Sequence, residues 1–116
     1  MQLIPVLVVE DVDTALDFYS RAFRAETYKV IDQTTTLRIQ NQAFAIREAD
    51  ESDPAGRADS VLLLIETAAP DSVAEVAISH GATAVSPVDD RESGIRAGRL
   101  RDPFGFQWIV STPVPR

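Results

Sequence analysis

Residues 48–60 read EADESDPAGRADS, from Glu48 to Ser60. The stretch combines charge, Pro54 and Gly56 with almost no large apolar side chain, which is the composition of a connector rather than of a helix or strand. It divides the 116-residue chain nearly in half. Working outward from it, the same order of patterns stands on both sides. On the N-terminal side, Leu3 to Val9 is apolar and rich in Val, a strand in which Pro5 must take a place that needs no ladder donor. Asp11 and Asp13 follow as cap or first-turn carboxylates, and Val12, Ala15, Leu16, Tyr19, Ala22 and Phe23 recur at helical spacing. Thr27 to Ile31, Thr35 to Ile39 and Ala43 to Arg47 then read as short strands broken by Asp32-Gln33 and Gln40-Asn41-Gln42, the pattern of antiparallel hairpins.

Beyond the connector the order repeats. Val61 to Ile65 is a strand; Pro70 and Ser72-x-x-Glu75 open a helix with Val73, Val76, Ala77 and His80 on one face; Gly81 closes it. Further strands are expected at Thr83 to Val88, Ala97 to Arg101 and Phe106 to Ser111. Each half therefore reads β-α-β-β-β. A helix covers one face of such a half-sheet, so the other face must be enclosed by the second half or by a second chain. The expected fold is α+β, a single domain over residues 1–116 of two βαβββ modules facing each other as a cup, completed in a homodimer. Module one covers about 1–50, a linker about 50–59 and module two about 60–116.

Composition narrows the function. A formal charge of −7 argues against a nucleic-acid partner, which needs clustered Lys and Arg. The absence of cysteine excludes disulfides, thiolate metal sites and cysteine nucleophiles. No apolar run approaches the roughly 20 residues of a membrane helix, and Leu3 to Val9 lacks the length and basic flank of an export signal. A cytoplasmic protein without a membrane partner is expected. Lys29, the only lysine, reads as a solvent-facing edge residue rather than a Schiff-base amine.

Three stretches, VVEDVDTALDFYSRAF, SHGATAVSPV and GIRAGRLRDPFGFQW, together resemble the vicinal oxygen chelate superfamily of glyoxalase I, fosfomycin-resistance proteins, extradiol dioxygenases and bleomycin-resistance proteins. They look most like its PhnB-like branch. The resemblance implies metal-ligand positions at Ile4, Ser60 and Ile109, and two alkyl side chains with one neutral hydroxyl are no substitute for His, Gln or Glu donors. No metal and no other cofactor is expected. The family turn usually ends Asp-Pro-Phe-Gly-His, and Phe106 here removes that histidine. Asp102-Pro103-Phe104-Gly105 is complete as turn chemistry, with Asp102 bonding back, Pro103 presetting φ and Gly105 taking a positive φ. His80 is placed at a helix end, Asp89, Asp90 and Glu92 with Arg91 in a solvated loop, and Asp50, Glu51 and Asp53 in the linker.

The implied small-molecule cup is lined by Ile4, Val6, Ser60, Leu62, Gln107 and Ile109, with Arg38 as an orienting donor or, alternatively, part of a polar row on an edge strand. Strand alternation puts Gln107 beside Ile109 and sends Trp108 to the helix layer. The expected function is a metal-independent small-molecule binding protein that sequesters an antibiotic or metabolite. One alternative is an enzyme of lyase, isomerase or dioxygenase-like type working through acid–base groups, with Glu48 as the carboxylate if its strand turns it inward. A second is a structural or regulatory dimer with no small ligand.

Overall fold

The computed structural model describes residues 2–56 and 61–113. The contacts of the chain fall into two compact units, Met1–Gly56 and Arg57–Arg116. Each holds one helix and a four-stranded mixed sheet, so the chain is α+β with two βαβββ modules.

The first unit runs β1 (Val6–Val9), α1 (Val12–Phe23), β2 (Glu26–Ile31), β3 (Thr34–Ile39) and β4 (Gln42–Glu48). Its sheet order is β1-β4-β3-β2. Two hairpins with Asp32 and Gln40 at positive φ join β2, β3 and β4, while β1 lies parallel to β4 after the helical crossover. The first strand starts at Val6 rather than Leu3 because Pro5 has no N–H; only its carbonyl joins the ladder, accepting from Ala45 N at 2.8 Å. Asp11 caps α1 by accepting from Thr14 N, which lowers its pKa, and Arg24 ends the helix in the left-handed conformation. Phe18 and Tyr19 are buried on α1 with Ala15, Ala22 and Phe23, and the Tyr19 ring meets Phe44 of β4 edge-on at 5.3 Å. That contact identifies the face of the sheet carrying Phe44, Ile46, Leu37 and Leu7 as the side under α1. β2 is exposed along its whole length, Lys29 included, and is an edge strand; β3, where Arg38 sits, is an interior strand.

The second unit repeats the order: β5 (Leu62–Glu66), α2 (Pro70–Ser79), β6 (Thr83–Asp90), β7 (Arg96–Arg101) and β8 (Gln107–Ser111), in sheet order β5-β8-β7-β6. Here three expectations are corrected. Pro70 occupies the first turn behind an Ala69 N-cap with no side-chain cap, so Ser72 and Glu75 lie inside the helix and form no capping box. The buried stripe is Pro70, Ala74 and Ala77, with Val76 and His80 exposed. The small residues bring the helix backbone close to the sheet. β6 also runs to Asp90, so Asp89 and Asp90 belong to a strand end and only the turn after them is loop. Gly98 of β7 is where β6 crowds closest: a Cβ there would lie 2.7 Å from Val88 N.

An ion pair ties α2 to β7. Arg96 donates to both Asp71 oxygens at 2.7 and 2.8 Å, and to Asp90 at 3.2 Å. The hydrogen bond from this guanidinium holds the Asp71 carboxyl below its ordinary pKa. A depressed folded-state pKa means the unfolded chain binds the proton first, so the stabilisation is present at neutral pH and is lost as pH falls through the carboxylate range. Arg96→Gln is therefore expected to lower Tm modestly at pH 7, with the two melting curves converging below about pH 4.

Candidate ligand-binding site

In the second unit, alternation separates two faces of the sheet. Trp108 and Val110 of β8 and Leu100 of β7, which pairs with Trp108, are 4%, 0% and 2% exposed and form the core. Gln107 and Ile109 take the opposite face. Ladder partners share a face, so Leu62, Leu64, Arg99 and Arg101 lie there too, and Ser86 of β6 pairs with Arg99. Leu62 and Leu64 remain 41% and 53% exposed, which marks this side as the one α2 does not cover.

An open pocket of about 300 Å³ lies on this face, with Val85, Ser86, Arg91, Ala97, Arg99 and Ile109 in its lining. Arg91 enters it from the β6–β7 turn and is fixed to the strands by four hydrogen bonds. Nε and Nη2 donate to the Ala97 carbonyl at 3.1 and 2.8 Å, and Nη2 also donates to Ser86 Oγ at 3.0 Å and the Pro87 carbonyl at 2.9 Å. Arg99 donates to Gln107 Oε1 at 3.4 Å, a long contact that orients both side chains weakly. A rigid guanidinium, a looser one, a hydroxyl and two apolar side chains thus line one opening.

In the first unit, Val6, Ala45 and Thr36 form one row across the face opposite α1, and Arg38 shares that face two residues on from Thr36. The Arg38 guanidinium lies 3.7 Å from the centroid of the Tyr28 ring, a cation–π contact that holds it over the bulge in β2. Ile4 precedes β1 and is 38% exposed. Glu48 does not turn to this face: it pairs with Val9 and has the parity of Phe44 and Ile46, on the α1 side. Arg47 takes the open face instead, leaning towards Asp50 and Asp53 at 3.5 and 3.7 Å. Ser60 lies outside the described residues. Of the residues expected from sequence, then, Leu62, Gln107 and Ile109 share one face, Val6 and Arg38 share another, and Glu48 stands apart. Arg99, Arg91 and Ser86 were missed, although the alternation Ala97-Gly98-Arg99-Leu100-Arg101 already carried the signal for Arg99.

The turn before β8 serves structure. Asp102 is 4% exposed, and its Oδ1 accepts from Phe104 N at 2.9 Å and Phe106 N at 3.0 Å. Its Oδ2 accepts from the Trp108 indole at 2.8 Å. One carboxylate therefore fixes the turn and aims the largest core side chain.

The donor set does not suit the divalent metal of the resembled family. Ile4 and Ile109 offer only alkyl groups at two of the implied positions, and no group of three or more His, Asp or Glu side chains that could hold a metal ion occurs among the described residues. His80 is exposed at the end of α2, and Asp50 Oδ1 is occupied by the amides of Ser52 and Asp53. No described helix is long and apolar enough to cross a membrane.

Comparison with known proteins agrees with this architecture. An uncharacterised protein of Mycobacterium tuberculosis (strain H37Rv) is 29% identical across 97% of this chain and 74% of its own. A hypothetical protein from S. aureus superposes with a TM-score of 0.83 at 12% identity, covering 97% of this chain and 94% of that one. The fosfomycin resistance protein FosX from Mesorhizobium loti superposes with a TM-score of 0.74 at 18% identity, covering 98% and 92%. At these identities the two structures speak for the fold alone. The family model that matches, over residues 3–110, is that of the Glyoxalase/Bleomycin resistance protein/Dioxygenase superfamily, and the chain belongs to it.

Proposed function

We propose that this chain is a metal-independent small-molecule binding protein of the PhnB-like branch of its superfamily, acting as a homodimer that sequesters a metabolite or antibiotic. The observation that carries the reading is the open pocket on the uncovered face of the second sheet, where Ile109 meets Ser86, Arg91 and Arg99. Alkyl side chains at Ile4 and Ile109 support binding by shape and hydrogen bonding over metal chemistry. The likeness to a fosfomycin resistance protein is in keeping with a role in binding small compounds. Exposed Leu62 and Leu64 beside the pocket, together with exposed Val6 in the first unit, supply apolar surface for a symmetric partner. Glu48, on the α1 side, gives the acid–base alternative no support.

Native mass spectrometry of the protein as purified tests the reading in one measurement. The expected result is the mass of two chains, with a retained organic compound and no stoichiometric metal. One zinc, nickel or manganese per chain would overturn metal independence, and a single-chain mass across a dilution series would overturn the dimer.

A further inference from the structure

The geometry points to a small organic anion as the ligand of the second unit's pocket, its oxyanion held by Arg99 and Arg91 and its apolar body against Val85 and Ile109. This rests on the reading of that pocket as a small-molecule site and adds the chemical class of what fills it. The charge distribution is the first support. The chain carries a formal charge of −7, yet the pocket is lined by two arginines and no carboxylate. Among the described residues, neither Arg91 nor Arg99 takes part in an ion pair. Two unneutralised guanidiniums in one concavity focus a positive potential that an otherwise acidic surface does not offer.

The hydrogen bonding is the second support. All the bonds of Arg91 leave from Nε and Nη2, to Ala97, Ser86 and Pro87, so the guanidinium is held in place while Nη1 has no acceptor among the described residues. Among the described residues, Arg99 makes only the long contact to Gln107. A rigid donor whose orientation is already fixed and a second donor free to close on the ligand suit an oxyanion, which both guanidiniums can meet through N–H groups. Carboxylates and phosphonates share this chemistry. A concavity near 300 Å³ matches the size of a small molecule.

The test titrates the ¹⁵N-labelled full chain with phenylphosphonate, benzoate and neutral benzamide, reading the amides of Ala97, Arg99 and Ile109 and the arginine Nε–H groups by NMR. Both anions are expected to shift these signals saturably, to bind at least about tenfold more tightly than benzamide, and to weaken as salt is raised. Arg99→Gln is expected to weaken the anions about tenfold or more and leave benzamide unchanged. That variant is chosen because Arg99 carries one long hydrogen bond whereas Arg91 staples the hairpin, and an unchanged Tm confirms that it folds. Tighter binding of phenylphosphonate or of benzoate tells the two oxyanion classes apart and supports the inference in either case. Benzamide binding as tightly as benzoate at the same amides, indifferent to Arg99→Gln, would overturn the anion preference and leave the pocket standing as a small-molecule site. No shift at these positions with any of the three would overturn both.

Discussion

Trp108→Ala is expected to destabilise the protein by about 3–5 kcal/mol, the range for deleting a large buried aromatic side chain and leaving a cavity. Trp108 is 4% exposed, pairs in the ladder with buried Leu100, and stands two residues from Val110, which has no exposure at all. These three side chains form one side of the second sheet, so the loss is not local to a loop. Ligand binding through the opposite face is expected to survive in whatever fraction remains folded, because Gln107 and Ile109 point away from the indole. Urea unfolding gives the stability and the titration of the folded protein gives the affinity. A Trp108→Ala protein of nearly unchanged stability that has lost binding would mean the two faces are exchanged.

Asp102→Ala is expected to cost a similar amount, about 3–5 kcal/mol, through a different cause. The substitution removes the Asp102 acceptor for the amides of Phe104 and Phe106 and for the Trp108 indole, and the Phe106 and Trp108 bonds it breaks are buried. Asp102→Asn should recover part of the loss. An amide has one carbonyl oxygen, which can serve the two backbone donors, while its NH₂ meets the indole N–H with the wrong polarity. The expected order of stability is wild type, Asp102→Asn, Asp102→Ala, read from the same unfolding curves. Equal stability of all three would show that the turn is held by its backbone alone.

Much of this fold is legible in the sequence because local chemistry decides it. The polar pairs Asp32-Gln33 and Gln40-Asn41 set two tight hairpins, the apolar spacing from Ala15 to Phe23 sets α1, and the connector around Pro54 and Gly56 parts two equal patterns. Strand parity also places Gln107 with Ile109 and Arg38 with Thr36, since the pleat alone dictates it. What the pattern hides is non-local. Nothing in the run Val6–Val9 says that it pairs with β4 in parallel rather than with a neighbour in sequence, and the same holds for β5 and β8. Ser72-x-x-Glu75 looks like a capping box, yet Pro70 begins the helix two residues earlier, where its missing N–H costs nothing. Arg91 reads as one more charge in a polar turn; only the carbonyls of Ala97 and Pro87, brought alongside by the β6–β7 pairing, make it a fixed donor. The same applies to Asp102, whose bonds to Phe104 and Phe106 are local while its bond to Trp108 depends on the strand that follows.

Glu48 shows how one residue of parity can decide a functional reading. Had β4 met both β1 and β3 one position out of register, its carboxylate would share a face with Val6 and Arg38, and an acid–base enzyme would be the better proposal. The observed pairing of Glu48 with Val9 and of Arg47 with Val8 puts the basic side chain there instead.

The placement of the ligand is tested most directly by a crystal structure of the protein holding the compound that survives its purification. The expected result is density against Val85 and Ile109 with an oxyanion within hydrogen-bonding distance of Arg99 and Arg91, on the sheet face opposite Trp108. Density on the α2 side of that sheet, or a compound bound through a metal ion, would contradict it.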